Sequence, residues 1–222
     1  MPFPRFSKME HEKRERLLEV AAQEFARYGF EDASINRILD HVQMSKGAAY
    51  YYFEDKVDLF FTVVQYCNER LNLIDQEIDP ATLTSETFWP TFAELHRQPL
   101  IRSFEQPWLF AAVNAARRLP PSALEREPLA TFARQLIAWV MTIVKRGQEL
   151  GVIRTDIPGE LIFAWLQALD EASDQWLLAQ WKELDRAAIA QVSDQTVDAM
   201  RRSLAPSGPS ENNDRVVGRK QS

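Results

Sequence analysis

The stretch SKGAAYYYF, residues 45–53, places three consecutive tyrosines behind a lysine, a glycine and two alanines. Glycine is a poor helix former and tyrosine a moderate one, yet Ser45 is a good N-cap for a short helix here. Such a helix offers a core little apolar bulk apart from its aromatics. Its small residues make sense where something large must approach the backbone.

Working outward, the stretch has helical neighbours on both sides. Residues 34–42, SINRILDHV, read as a second short helix, with Ser34 as cap and Ile35, Ile38, Leu39 and Val42 recurring at i, i+3, i+4 and i+7. Only Gln43, Met44 and Ser45 separate the two, which leaves room for a tight turn. Upstream, Leu17, Leu18, Ala21, Ala22 and Phe25 form one helical face, Gly29 stands where a left-handed C-terminal cap belongs, and Phe30 can pack back on Phe25. Downstream, Asp55 caps a longer helix with Asp58 as acidic partner, and Val57, Phe60, Phe61, Val64, Cys67 and Leu71 mark its buried stripe. Two short helices joined by about three residues, between two longer ones, are the sequence form of a helix-turn-helix.

Composition narrows the function. A chain of 222 residues with 45% hydrophobic side chains can build a real core. Its net charge of −6 argues against holding nucleic acid through bulk charge. Residues 1–56 carry nine Lys/Arg against ten Asp/Glu, so any such binding depends on placement, with Glu15, Glu19 and Glu24 kept to the far side of the first helix. One cysteine, Cys67, excludes an intrachain disulfide and suits a reducing compartment. The start lacks an apolar segment of signal-peptide length and no apolar run reaches membrane-spanning length, so a soluble cytoplasmic protein with no membrane partner is expected.

Two segments, LLEVAAQEFARYGFEDASINRIL (17–39) and MSKGAAYYYFEDKVDLF (44–60), share a pattern. A helix ends in Gly-Phe, a serine caps the second helix, Ser-Lys-Gly opens the third, Tyr-x-Tyr-Phe closes it, and a lysine precedes the fourth. With Tyr50, Tyr52, Phe53 and Lys56 in those places, residues 11–71 resemble the DNA-binding domain of TetR/AcrR-type bacterial transcriptional regulators. The resemblance implies an all-α fold in which an N-terminal three-helix helix-turn-helix domain (11–71) precedes a larger helical effector-binding and dimerisation domain (72–204). It implies double-stranded DNA as partner, a homodimer on a palindromic operator, action as a repressor, and no cofactor. Gln43 departs from the usual glycine of the turn, and a left-handed backbone there should cost about 1–2 kcal/mol.

On that pattern Lys46, Gly47 and Ala48, behind the cap Ser45, face the major groove, where Ala48 can touch a thymine methyl. Tyr50 and Tyr51 reach phosphates or base edges, while Tyr52 and Phe53 turn inward. Ser34, Asn36 and Arg37 sit at the start of the second helix, where phosphate contacts set the register. Lys56 begins the fourth helix, so its charge and the local amides can share a phosphate.

Residues 72–204 read as helix throughout, punctuated by Pro80, Pro90, Pro99, Pro107, Pro120, Pro121, Gly151 and Pro158. One apolar stripe, Leu161, Ile162, Trp165, Leu166, Ala168, Leu169, Ala172 and Trp176, covers half a helix circumference, more than a surface helix needs. That width predicts burial on two sides, with Leu161, Trp165, Ala168, Leu169, Ala172 and Trp176 in a dimer interface. The family resemblance adds the last helix to that interface. Core filling accounts for most of the dense aromatics; a pocket for a small apolar or amphipathic effector would draw on His96, Glu105, Trp108, Asn114, Trp139 and Trp165. For Asn114 a hydrogen bond to backbone is the plainer expectation. Residues 205–222, rich in Pro, Ser, Gly and Asn, read as a disordered tail.

Two rival functions remain in view. An enzyme finds little support, since His11, His41 and His96 show no metal-ligand spacing and no phosphate loop or nucleophile elbow occurs. A helical ligand-binding or interaction protein that has lost DNA binding is favoured by the near-neutral N-terminal region.

Overall fold

The computed structural model describes residues 3–72, 78–119, 121–127 and 129–206, and these contain helices and no strand. From residue 207 onward the expected tail lies outside the described residues. Helix α1 spans His11–Asp32, and its predicted inner face, Leu17, Leu18, Ala21, Ala22 and Phe25, is buried throughout. Gly29 adopts a positive φ of 70°, but with extended ψ, and one more turn follows it. The expected cap is therefore a kink, and Ala33 ends the helix. Phe30 still folds back, its ring 6.4 Å from that of Phe25 and 5.3 Å from that of Phe60.

Three side-chain caps then set the chain's path. Ser34 accepts from the Arg37 amide to open α2 (Ile35–His41), Ser45 accepts from the Ala48 amide to open α3 (Lys46–Tyr52), and Asp55 accepts from the Asp58 amide to open α4 (Lys56–Leu71). Each satisfies a donor that a helix start otherwise leaves unpaired. Gln43 takes the left-handed conformation that the short turn demands, at φ 54°.

The rest is built from α5 (Phe88–Arg102), α6 (Pro107–Ala115), α7 (Pro121–Leu124), α8 (Leu129–Glu149), α9 (Gly159–Gln180) and α10 (Arg186–Leu204). The prolines mostly start elements, as Pro107 does for α6 and Pro158 for α9. Pro99 does not: it lies inside α5, three residues from its end, and is buried. There it forfeits one helical bond but keeps the last turn, because its own carbonyl accepts from the Ser103 amide at 3.0 Å.

Three apolar clusters hold the helices together. The first joins α1, α2 and α4 to Leu109, Ala112 and Ala115 of α6 and reaches Leu129. Helix α1 thus packs along α6 as well as α4, so both α1 and α4 tie the N-terminal helices to the rest of the chain. The second joins α5, α8, α9 and α10 around Phe88, Ile143, Ile162 and Met200. The third closes α5, α6, α9 and α10 around Leu100, Phe110, Leu177, Trp181 and Ile189. At Gly147 of α8 an added Cβ would lie 2.7 Å from both Phe88 Cζ and Ile153 Cδ1, so a larger residue there would have to displace these side chains. No helix among the described residues is long and apolar enough to cross a membrane.

Candidate nucleic-acid interface

At about 100° per residue, Lys46, Gly47, Tyr50 and Tyr51 span an arc of about 140° on α3. All four are exposed, Tyr50 and Tyr51 by 55% and 52%. Ala49 and Phe53 are buried, and Tyr52 is partly buried against the first cluster. The inward and outward tyrosines separate as their spacing predicts, with Tyr51 on the outer side.

Gly47 is the most informative residue of that arc. Its φ is not positive, and a Cβ built on it meets nothing within 4 Å. Nothing among the described residues requires glycine there, although it costs the helix about 1 kcal/mol relative to alanine.

Flanking this surface, the cations predicted to touch phosphate are tied inward. The Arg37 Nε donates to Glu24 at 2.8 Å, its Nη2 donates to the Asp32 carbonyl at 2.9 Å, and its guanidinium stacks 4.3 Å from the centre of the Tyr28 ring. Burial pushes the Glu24 carboxyl up, but Arg37's hydrogen bond, the Ser34 amide and Arg37's charge outweigh it and hold the group below its usual value. Lys56 donates to the Glu31 carbonyl at 2.8 Å and lies over Phe30, and burial lowers its pKa. Glu15 accepts from Tyr66 and pairs with Arg70. Glu15 and Glu24 are thus neutralised by partners, which does more than set them aside.

The start of α4 differs from expectation as an anion site. Asp55 Oδ1 takes the Asp58 amide at 3.0 Å and Asp58 Oδ2 takes the Glu54 amide at 3.2 Å. Two carboxylates already occupy that end, so its amides are poorly placed to share a phosphate with Lys56. Asp55 also pairs with Arg126 at 2.6 Å, tying α4's start to the segment before α8. The Asp58 amide and Arg126 outweigh burial and hold the Asp55 carboxyl low. Ser34 and Ser45 spend their hydroxyls as caps, while Asn36 is exposed.

The residues expected around an effector are scattered. His96 bridges helices, its Nδ1 2.6 Å from Ser193 Oγ and its Nε2 2.8 Å from Asp170 Oδ1. Glu105 is exposed, Trp108 packs on the first cluster, and Asn114 donates to the Phe110 carbonyl at 3.2 Å, as its plainer reading expects. Trp139 and Trp165 both pack on the second cluster. Sequence reasoning missed a cleft of about 360 Å³ where α4 ends against α5, lined in part by Asn72, Ile78, Leu95, Gln98 and Arg102. Its lining mixes apolar and polar residues from separate segments, which no local pattern announces.

On α9, Ile162, Leu166 and Leu177 fill the interior, whereas Leu161 and Trp176 are exposed by 41% and 50%, with Ala168 and Ala172 exposed between them and Trp165 and Leu169 at the edge. The apolar residues of α10, Ile189, Val197, Met200 and Leu204, are spent on its own chain, and its outer face carries Gln191, Asp194, Gln195 and Arg202.

Comparison with known proteins bears on this geometry. Residues 17–63 match the family described as bacterial regulatory proteins, tetR family. The chain is 25% identical over 191 residues to the HTH-type transcriptional repressor Rv1474c of Mycobacterium tuberculosis, covering 86% of this chain and 94% of that one. Its fold resembles a TetR family transcriptional regulator from Chloroflexus aurantiacus, with a TM-score of 0.63, 23% identity, and 92% and 99% of the two chains covered. It also resembles the transcriptional regulator FadR from Bacillus subtilis, solved in complex with stearoyl-CoA, with a TM-score of 0.67, 11% identity, and 86% and 98% covered.

Proposed function

We propose that this chain, a TetR-type regulator, reads double-stranded DNA with the outer face of α3 and represses transcription in the cytoplasm. Gly47 carries the reading. An exposed glycine with no internal need is explained by a partner that must come closer than a methyl group allows. In this assignment Lys46, Gly47 and Ala48 lie against base edges, Tyr50 and Tyr51 contact the strand beside them, and Asn36 approaches a phosphate from α2. Ser34 and Ser45 act by capping, and Arg37 and Lys56 by presenting partly satisfied cations at the rim. The head is residues 11–71, and residues 72–204 serve effector and partner.

Two heads are needed for a palindromic site. The stripe of exposed Leu161, Ala168, Ala172 and Trp176, with half-buried Trp165 and Leu169 at its edge, is the surface on which a second copy docks. DNA then fixes the distance between the two α3 helices at about 34–36 Å or a multiple. Ligand response is supported by the cleft at the far end of α4. A small apolar or amphipathic effector bound there would displace α4, and the Asp55–Arg126 pair gives a second route to the head. FadR, with the same fold, holds an acyl-CoA; the effector of this chain need share only that amphipathic character. Release of DNA requires that the effector prefer the splayed dimer, and operator DNA must then weaken effector binding by the same factor.

The test is a mobility-shift titration of the purified protein with the DNA upstream of its own gene and with a base-shuffled duplex, at several salt concentrations. Tighter, salt-dependent binding to the upstream DNA is expected. Equal, weak binding to both duplexes favours the rival reading, an interaction protein without DNA specificity.

A further inference from the structure

The segment before α1, Phe3–Met9, contains Arg5 and Lys8 and no acidic residue. It is anchored on the third helix. The Phe3 amide donates to the Tyr52 carbonyl at 2.9 Å, and Phe6, 6% exposed, packs its ring 4.9 Å from Phe53 and 6.1 Å from Tyr52. Residues Phe6–Lys8 form a 3-10 turn, the Ser7 hydroxyl closes on the Pro4 carbonyl, and Met9 is buried. The Arg5 guanidinium sits 4.0 Å from the centre of the Tyr51 ring and 4.6 Å from that of Phe3. Among the described residues no carboxylate pairs with it, and its Nε is enclosed without a hydrogen-bond partner.

This guanidinium contrasts with four other cations of the head. Arg37 is spent on Glu24, Arg70 on Glu15, Lys13 on Glu10, and Lys56 donates to a carbonyl. Arg5 instead lies against Tyr51, on the outer arc of α3. Stacking on rings occupies the faces of a guanidinium, and with Nε enclosed it is the fork of Nη donors that is left for an oxygen acceptor. The stack also holds a side chain that would otherwise lose rotamer freedom on binding.

We infer that this N-terminal arm is an additional DNA contact of each head, in which Arg5 grips a backbone phosphate beside the groove that receives α3. The inference rests on the DNA reading proposed above and adds a segment that the matched family region, which begins at residue 17, does not include. A phosphate is the partner because the free edge is a fork of donors with a full charge, the arm has no acid to repel a strand, and the head as a whole lacks net positive charge. Tyr51 then has a double task, one ring face supporting Arg5 and the phenol turned toward the strand.

The experiment is fluorescence anisotropy of the full chain on a labelled upstream duplex and a shuffled one, across a salt series, for the unmodified protein, Arg5→Gln and Arg5→Lys. Both variants keep a long side chain over Tyr51, and only one keeps the charge. Arg5→Gln should weaken both duplexes about equally, by about three- to tenfold, with a salt slope shallower by about one; Arg5→Lys should keep the slope. Unchanged affinity and slope in Arg5→Gln, while the unmodified protein binds, removes the arm contact and leaves the α3 reading standing. A loss confined to one base position with the slope intact makes Arg5 a base reader and overturns the phosphate assignment. If the unmodified protein shows no salt-dependent binding, the α3 reading fails and this inference with it.

Discussion

Gly47 in α3 and Gly147 in α8 are both helical glycines, and a methyl group added to each would meet opposite surroundings. At Gly147 it would press on Phe88 and Ile153 at 2.7 Å, and at Gly47 it would meet nothing within 4 Å. The first residue is explained by its own chain. The second is not, and an exposed helix position with no packing or backbone reason for glycine directs attention to a partner. The same question separates the two faces of α9. Ile162, Leu166 and Leu177 are explained by the interior, while Leu161 and Trp176 are large apolar groups left outside.

The largest effect should come from breaking the α9 side of this contrast. Trp176→Glu puts a charge on an exposed position, so the fold should survive while the second copy is lost. Sedimentation should then read a monomer, and operator affinity should fall by about 100-fold or more as the avidity of two linked heads disappears. A monomeric unmodified protein would instead leave Leu161 and Trp176 without the proposed occupant.

Gly147→Ala comes next and tests the internal explanation. Overpacking here should lower stability by about 1–3 kcal/mol in chemical denaturation, with DNA affinity of the folded fraction unchanged. A neutral result would mean that Phe88 and Ile153 give way easily and that the contrast with Gly47 is weaker than the distances imply.

Smaller still is the effect at Glu24, which joins α1 to Arg37 at the start of α2. Its folded pKa is depressed, so its contribution to stability is fully present above the ordinary carboxylate value and is lost as pH falls through the depressed one. Stability of the unmodified protein should therefore drop below about pH 4.3, whereas Glu24→Gln should show a weaker step there. At neutral pH that variant should cost about 1 kcal/mol, because Arg37 is partly exposed and solvent screens the pair. Melting curves between about pH 3 and about pH 7 check both statements.

What the sequence made readable follows from the range of the interactions involved. Ser34, Ser45 and Asp55 cap helices through amides three residues away, so caps and helix starts could be placed from local pattern alone, whereas the left-handed Gln43 was foreseen only through the family's turn glycine. The inner face of α1 was equally legible, since one period repeats along it. Partners far along the chain were not. Phe6 finds Phe53, Arg37 finds Glu24, and Asp55 finds Arg126, and no spacing rule connects them. Pro99 was misplaced as punctuation because tertiary burial overrides its local cost near a helix end. The same limit applies to the effector residues: aromatic density is visible in sequence, but whether Trp108 joins Trp139 depends on packing, and here it does not.

The central claim is that Gly47 is glycine for the sake of something outside the chain. Gly47→Ala, measured in parallel by thermal melting and by affinity for the upstream duplex, tests it most directly. The account predicts opposite signs: the fold gains about 0.5–1 kcal/mol because alanine is the better helix former and finds open space, while DNA binding weakens because the added methyl stands where the groove must approach. A variant that is more stable and binds the duplex as tightly as the unmodified protein would contradict it.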